Sequence, residues 1–370
     1  MSIEILSCRK EKSNYLVIPK DNCFYIDGKG GQLGDRGHIG DANVLEVTKD
    51  GIIIDRELSP GSYDYDIDVI RQKDIAEQHT AEHIFSGIVY QKYGFHNIGF
   101  RMGEEYTTID LDIQDIDTKI ADDMEIEVNK AIEAGVDIKI KVIPHTEALQ
   151  MTTLRKPLSP KITGDVRIVE VPGYDLCACA GFHVKNTKDI RLFKILHYEK
   201  VKGGNTRFYF ISGDKAYRDY KLKHEISREL CHRFSCQDDE IVTMLDKSYA
   251  DKKNIESELK NVSMKYAGLL AKELSQNAMI LNDHKVIYYD EDRTVASFLA
   301  RYIDLDSHLL ITGADGAYTL ASNAVDCKAL IKCITDACHD IKGGGSATKG
   351  NIKGNINKEI LFGSIKRFFE

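Results

Sequence analysis

The sequence predicts an α+β protein in three parts: an α+β domain over 1–213, a long helical, coiled-coil-like linker over 214–276, and a small glycine-rich α/β domain over 277–370. Three observations carry this reading. A strand-rich start leads into a helix with paired histidines. Residues 214–276 hold one Gly and no Pro and repeat apolar positions with a helical seam. Strand and helix patterns then alternate to the end.

The 370 residues are 42% hydrophobic and 29% charged, a composition suited to globular domains with substantial cores. No apolar run reaches membrane-spanning length, and Met1-Ser-Ile-Glu-Ile5 has no signal-peptide layout. Nine cysteines, an odd number without framework spacing, point to reduced thiols, so a cytoplasmic location is expected. The net charge of −8 speaks against a chain coated in nucleic acid. Residues 341–370 differ: six bases against two acids make a local +4, either a solvated surface or a footprint for RNA.

Over 1–60, Tyr15-Leu-Val-Ile18 and Asn43-Val-Leu-Glu-Val47 read as strands between turn residues. Between them Gly28-Lys-Gly-Gly-Gln-Leu-Gly-Asp-Arg-Gly37 contains five glycines, so the backbone can take positive φ and approach other groups closely. This is a hairpin turn or a pocket-lining loop. Residues 74–93 read as a helix, with Asp74 and Glu77 as a capping box and Gly94 as the stop. Ile75, His79, His83, Ser86 and Tyr90 share one stripe. A strand follows over Tyr106–Asp112, then an amphipathic helix over 115–133 and a strand through Ile138, Ile140 and Val142. Two more strands over 190–198 and 206–212 turn at Lys202-Gly-Gly-Asn205. In the linker, positions 241, 245, 248, 252, 255, 259, 262, 266 and 269 alternate steps of four and three. This is a heptad rhythm of one long helix or a helical hairpin, fit for a homodimer seam or for packing on its own chain. Beyond 277, strands are expected at Val286–Tyr289 and His308–Thr312, helices at 292–303 and 323–340, and a glycine run over Gly343–Gly354.

The chemistry lies in two pairs. His79 and His83 are four apart on a helix and face the same way. Cys179 and His183 repeat that spacing about a hundred residues later. Imidazole and thiolate are the donors zinc prefers, so the four residues are a candidate zinc site built from two segments. Asp175 is a candidate to orient one ligand. Cys177 reads as an ordinary buried thiol, and His96, His145 and His197 as structural.

These residues resemble a known family, the AlaX-type free-standing alanyl-tRNA editing proteins in their long form, related to the editing and C-terminal domains of alanyl-tRNA synthetase. Phe24-Tyr25 with Gly30-Gly-Gln-Leu-Gly-Asp-Arg-Gly37 resembles the family's FY…GGQ element, and His79-Thr-Ala-Glu-His83 its HTAxH helix. Gly99 through Asp112 resembles the following strand, and Cys179-Ala-Gly-Phe-His-Val184 with Asn186, Thr187 and Ile190 its metal segment. Lys202 through Ala216 resembles the closing hairpin. The C-terminal region is similar to the glycine-rich domain that accompanies DHH-type phosphoesterases.

The resemblance implies a zinc-dependent hydrolase acting in trans on mischarged tRNA(Ala), with Ser-tRNA(Ala) first and Gly-tRNA(Ala) second. It implies a catalytic or substrate-contacting role for Gln32 and a substrate pocket at Gly30, Gly31, Gln32 and Phe182. Lys342, Lys349 and Lys353 would contact tRNA. Two departures stand out. Phe182 replaces the family's usual Thr, and Gly343-Gly-Gly-Ser346 lacks the His that phosphoesterases carry there. Two other readings stay open: an HxxEH metallopeptidase with Glu82 as general base, and a non-catalytic tRNA-binding module stabilised by zinc.

Overall fold

The computed structural model describes residues 1–158, 163–314, 316–337, 341–354 and 356–370, and the chain divides into two compact units, Met1–Glu229 and Leu230–Glu370.

The first unit opens with six strands that close a barrel: β1 (Ser2–Glu11), β2 (Asn14–Pro19), β3 (Gly37–Ile39), β4 (Ala42–Val47), β5 (Ile52–Ile54) and β6 (Gly61–Ile67). Their order is β1-β2-β5-β4-β3-β6, every pair antiparallel. Ile3 and Ile5 alternate inward on β1 and meet Val17, Ile39, Val47, Ile52 and Ile54 in the barrel core, the two-residue period of a half-buried strand. The glycine-rich loop joins β2 to β3. Gly28, Gly30 and Gly31 sit at φ 76°, 67° and 80°, a region that glycine enters without steric cost. Asp27 anchors the loop by accepting from Gly34 N–H, Val47 N–H and the Arg36 guanidinium.

Helix α1 (Val69–Tyr93) follows. It starts five residues before the expected position, capped by Asp68, whose carboxylate accepts from the Ile70 and Arg71 amides, a cap worth about 1 kcal/mol. Asp74 and Glu77 are therefore not a capping box. They lie inside the helix, where Asp74 pairs with Lys215 and buried Glu77 accepts from the Asp214 amide. The early start was hidden because Val69 and Ile70 point outward, 71% and 73% exposed, and break the apolar stripe. Gly94 ends the helix in the left-handed conformation as expected. From Ile75 to Val89 the helix is buried all round, while Tyr90, expected on the inner stripe, is exposed.

α1 and α2 (Thr118–Ala134) pack with a sheet of β7 (Asn97–Met102), β8 (Thr107–Leu111), β12 (Phe193–Val201) and β13 (Asn205–Ser212), in the order β12-β13-β8-β7. Phe85 of α1 meets Phe193, Phe208 and Phe210 edge-on or tilted at centroid distances of 5.2–5.9 Å, a favourable aromatic geometry. A second sheet holds β9 (Lys139–Ile143), β10 (Val166–Val171) and β11 (Asp175–Ala178), with the short α3 (His145–Ala148) between β9 and β10. The predicted alternation on β9 gives a strand, yet Ile140 and Val142 are 46% and 64% exposed, so its apolar side faces outward. α4 (Gly213–Phe234) begins where the expected first domain ends.

The expected long helical stretch is two helices, α4 and α5 (Ile241–Gln276), interrupted around Ser235 at φ 51° and a 3-10 turn over Asp238–Glu240. In the second unit, Ala267 and Ala271 of α5 are buried against Ile287, Phe298, Leu299 and Leu310. The seam positions Ile255, Leu259, Val262 and Leu269 are 55–69% exposed, so the heptad face is not the face α5 packs with. The sheet contains β14 (Met279–Leu281), β15 (His284–Tyr289), β16 (His308–Ala314), β17 (Ala317–Ala321), β18 (Lys342–Gly345) and β19 (Lys349–Lys353), in the order β14-β15-β16-β17-β19-β18. β15 and β16 are parallel, joined through α6 (Arg293–Leu299). α7 (Cys327–Ala337) and α8 (Lys358–Phe369) cover one face. The helix expected at 292–303 thus appears as the shorter α6, the one expected at 323–340 begins only at Cys327, with 338–340 outside the described residues, and the glycine run forms two paired strands. Their glycines are needed: a Cβ on Gly350 would lie 2.1 Å from Ile331 Cδ1 on α7, and one on Gly345 only 2.3 Å from the Lys349 carbonyl.

Candidate metal centre

The middle of α1 brings His79 and His83 to one face, and the strap after β11 brings Cys179 and His183 to meet them. One donor atom from each of the four lies within 4.8 Å of every other. His79 and His83 are 2% exposed. The strap is pinned from behind by Arg167, whose guanidinium donates to the Cys179 and Gly181 carbonyls at 2.7 and 2.9 Å. Only glycine fits at 181, because a Cβ there would stand 2.0 Å from His79 Cε1 and 2.4 Å from Gln32 Oε1.

All three imidazoles are oriented the same way. His79 Nδ1 bonds Gln32 Oε1 at 2.8 Å, His83 Nδ1 bonds Asp175 at 2.7 Å, and His183 Nδ1 bonds Thr80 Oγ1 at 3.1 Å. The Nε2 atoms of His79 and His183 each lie 3.4 Å from Cys179 Sγ. Bonds of about 2.3 Å to sulfur and 2.0–2.1 Å to nitrogen at a tetrahedral angle separate the two donors by about 3.5 Å. The cluster therefore has the donor types, spacing and outer hydrogen bonds that a tetrahedral zinc ion requires.

The electrostatics agree with this donor set. Burial disfavours the Cys179 thiolate, but hydrogen bonds from His183, His79 and His83 overcome it and hold the thiol down at about 2. Burial pushes the His183 imidazole down to about 3. For Asp175, burial opposes ionisation, yet His83 and the Arg155 guanidinium keep its carboxyl below the usual range. Arg155 donates to both Asp175 oxygens, at 2.6 and 3.3 Å. By contrast Cys177 is a buried thiol pushed up by burial.

Gln32 is 1% exposed. Its Oε1 accepts from His79 Nδ1 and from the Phe182 amide at 2.9 Å, so it joins α1 to the strap, with no open face for direct contact. Phe182 sits between the Cys179 and His183 positions, and its ring packs on Tyr25 at a centroid distance of 4.9 Å. Gly31 lies against Phe100, where a Cβ would come within 2.5 Å of the ring, and Gly30 lies near the Tyr25 hydroxyl. Phe100 in turn stacks on His79 at 5.5 Å. Glu82 is buried beside the cluster and accepts from Ser86 Oγ and Asn97 Nδ2, both at 2.6 Å. Cys179 and His183, rather than the downstream Glu that the metallopeptidase pattern would use, complete the group around His79 and His83. Lys342, Lys349 and Lys353 lie in the second unit on β18 and β19, exposed; Lys342 pairs in register with Lys353.

Sequence reasoning missed Arg155, Thr80 and Arg167. Thr80 stands inside the His79–His83 motif without a task assigned to it, and no local pattern marks the two arginines: each of the three acts on a residue at least twelve positions away. Asp175 carried only the weak signal of standing near the second segment.

Residues 166–209 match the threonyl and alanyl tRNA synthetase second additional domain, the stretch that contains Cys179 and His183. The alanyl-tRNA editing protein Aarsd1-A of Xenopus laevis is 25% identical over 94% of this chain and 85% of its own. Aarsd1 of Danio rerio is 26% identical over 71% of this chain and 65% of its own. An alanine–tRNA ligase of a Thermoanaerobacter strain is 28% identical over 71% of this chain and 32% of its own. With its paired donor segments, the chain is thus similar along most of its length to curated alanyl-tRNA editing proteins and, over a shorter stretch, to an alanine–tRNA ligase.

Proposed function

We propose that this protein is an aminoacyl-tRNA deacylase that removes the wrong amino acid from tRNA(Ala), with Ser-tRNA(Ala) as the preferred substrate and Gly-tRNA(Ala) as a second. The observation that carries the reading is the convergence of one thiolate and three oriented imidazoles behind a strap that matches the synthetase second additional domain. The names of the curated relatives, alanyl-tRNA editing proteins among them, point the same way.

The reaction is hydrolysis: water adds to the aminoacyl ester carbonyl, the ester C–O bond breaks, and the proton ends on the ribose hydroxyl of the terminal adenosine. Zinc held by His79, His83, Cys179 and His183 would supply Lewis acidity toward that ester. The protein's own contribution is positioning. Gln32, Asp175 and Thr80 each hold an imidazole so that its Nε2 faces the centre. Gln32 is thereby reassigned from touching substrate to holding His79 and the Phe182 amide. Selectivity follows from the hydroxyl that serine adds. A polar site built to pair that hydroxyl rejects alanine by leaving its own groups unpaired. The backbone at Gly30 and Gly31 and the Phe182 ring form the wall against which the amino acid would lie.

The exposed Lys342, Lys349 and Lys353 on β18 and β19 would hold tRNA phosphates. The exposed α5 seam supports a homodimer, and the absence of any helix long and apolar enough to cross a membrane, among the described residues, suits the cytoplasmic location.

The test is deacylation of Ser-, Gly- and Ala-tRNA(Ala) by wild type and Cys179→Ala, with metal content measured on both. Rapid loss of Ser-tRNA(Ala), sparing of Ala-tRNA(Ala) and no activity in Cys179→Ala are expected. Four protein donors also fill a tetrahedral shell, which favours one second reading: a structural zinc in a tRNA-binding module. Folded, zinc-loaded protein that binds tRNA(Ala) and hydrolyses none of the three would establish that reading instead.

A further inference from the structure

Two clefts flank the metal centre in the first unit. One is lined by Gly99, Arg101, Glu105, Tyr106, Asp110 and Arg207 along β7, β8 and β13. The other is lined by Asn22, Cys23, Tyr25, Lys29, Gln72 and Phe182.

From this pair we propose that the second cleft holds the terminal nucleotide of the RNA, its base against the Tyr25–Phe182 ring pair and its phosphate at Lys29. The proposal rests on the deacylase reading and adds the place where the end of the substrate binds. Phe182 is the residue before the donor His183, and its amide is tied through Gln32 to His79, so this cleft opens directly beside the reacting centre. Tyr25 is fixed: its hydroxyl donates to the Lys29 carbonyl at 3.2 Å and its amide to Asp35 at 2.8 Å. Lys29 places its ammonium 5.4 Å from the Tyr25 ring centroid. Asp35 is spoken for by the Tyr25 amide and Gln72 Nε2, and Lys29 stands as a cation beside a rigid aromatic platform. Aromatic stacking with one adjacent cation is the arrangement that receives an unpaired nucleotide.

The other cleft is larger but suits a phosphate less well. Its three acids, Glu104, Glu105 and Asp110, outnumber its two arginines, and Arg207 is already held by both Asp110 oxygens. The Tyr209 ring at its edge is already stacked on His197 at 4.1 Å.

The experiment uses an uncharged tRNA(Ala) minihelix with 2-aminopurine in place of the terminal adenine, titrated with full-length, metal-loaded protein, alongside steady-state deacylation of Ser-tRNA(Ala). Wild type and Tyr25→Phe should quench the probe, and Tyr25→Leu should not. Tyr25→Leu should raise KM about 5- to 100-fold, the loss of one base stack, with kcat changed less. Lys29→Ala should raise KM and lower the slope of log KM against log salt by about one, the mark of a lost phosphate contact. Metal content of each variant shows that its centre is intact. Quenching and KM unchanged in both Tyr25→Leu and Lys29→Ala would overturn the proposal, as would loss of quenching in Arg101→Ala alone. A wild type that hydrolyses Ser-tRNA(Ala) without these losses keeps the deacylase reading and removes the subsite. A wild type that quenches the probe but hydrolyses nothing does the reverse.

Discussion

The candidate metal centre of the first unit and the glycine hairpin of the second both gather charged or ionisable residues, and they do so in opposite ways. At the centre the groups are buried, and each imidazole has a fixed outer partner. On β18 and β19 the three lysines are exposed, and the glycines between them bring the backbone flat against α7. On the proposed function, the difference is what chemistry and docking would each require. Donors that must converge on one ion gain from being held in a single geometry. Cations that meet a long, hydrated polyanion gain from remaining solvated and releasing counterions on contact.

The sharpest way to break this contrast is to remove a donor. Cys179→Ala should abolish stoichiometric metal and cut deacylation by more than ~100-fold, beyond the range of an outer-partner mutation; metal analysis and single-turnover hydrolysis check both. Next in size are the outer partners. Gln32→Ala and Asp175→Asn should each weaken metal affinity roughly 10- to 100-fold, measured by competition with a chromogenic chelator. Asp175→Asn leaves Arg155 buried without its anion, so it should also lower thermal stability, by about 3 kcal/mol. If either variant holds metal as tightly as wild type, orientation of the imidazoles is not what the buried network provides. At the hairpin, replacing Lys342, Lys349 and Lys353 together by Ala should leave metal content unchanged. It should weaken tRNA binding, with the salt slope reduced by about two to three. An unaltered slope would mean these lysines only solvate the strand surface. Gly350→Ala should cost about 1–3 kcal/mol through overpacking and act on the second unit's unfolding alone.

How much of this could be read in advance follows the range of the interactions. The cluster of His79, His83, Cys179 and His183 was legible because two of its members stand at helical spacing and the other two repeat that spacing in a strap. The α+β character was legible from the same periodicities; the division was not, since three parts were expected and the helical stretch over 214–276 is shared between the two units. The contacts of Gln32 were not, because they join it to His79 forty-seven positions away; the sequence marked the residue without this partner. Arg155 carried no pattern at all, since its partner Asp175 lies on β11 and its value depends on both being buried. Closure of the barrel was hidden because β1 meets β6 only through folding. The helix start was misplaced because the cap at Asp68 is followed by two outward apolar residues. The hairpin over 342–353 is strand by virtue of what glycine allows beside Ile331 rather than by any β-forming side chain.

Acid sharpens the comparison least in magnitude but separates the two units by their carboxylates. In the first unit, Asp27 is opposed by burial yet held below its usual range by Arg36 and the Val47 and Gly34 amides. Hydrogen bonds from Arg71 keep Glu104 low, and Asp175 is low beside His83 and Arg155. Among the described residues of the second unit, Asp304 has a carboxyl lowered in this way, through Ser307 and the Asp306 amide, and it lies at the surface. A carboxylate whose folded-state pKa is depressed contributes stability that is fully present above its unfolded value, near 4. That stability is lost as pH falls through the folded value. Glu77, raised mainly by burial, acts in the opposite direction: what it contributes is present at low pH and lost as pH rises, so it offsets only part of the trend. The first unit should therefore lose stability below about pH 4 before the second does. Amide exchange followed by mass spectrometry between pH 5 and pH 2.5 would report this as early loss of protection in β3–β6 and α1, with α7 and β16 persisting. Asp27→Asn should flatten the first unit's dependence by roughly one group's share and leave the second unit's untouched. Simultaneous loss in both units would mean that acid stability is set by what they share rather than by the ion pairs that brace the glycine loop and the metal centre.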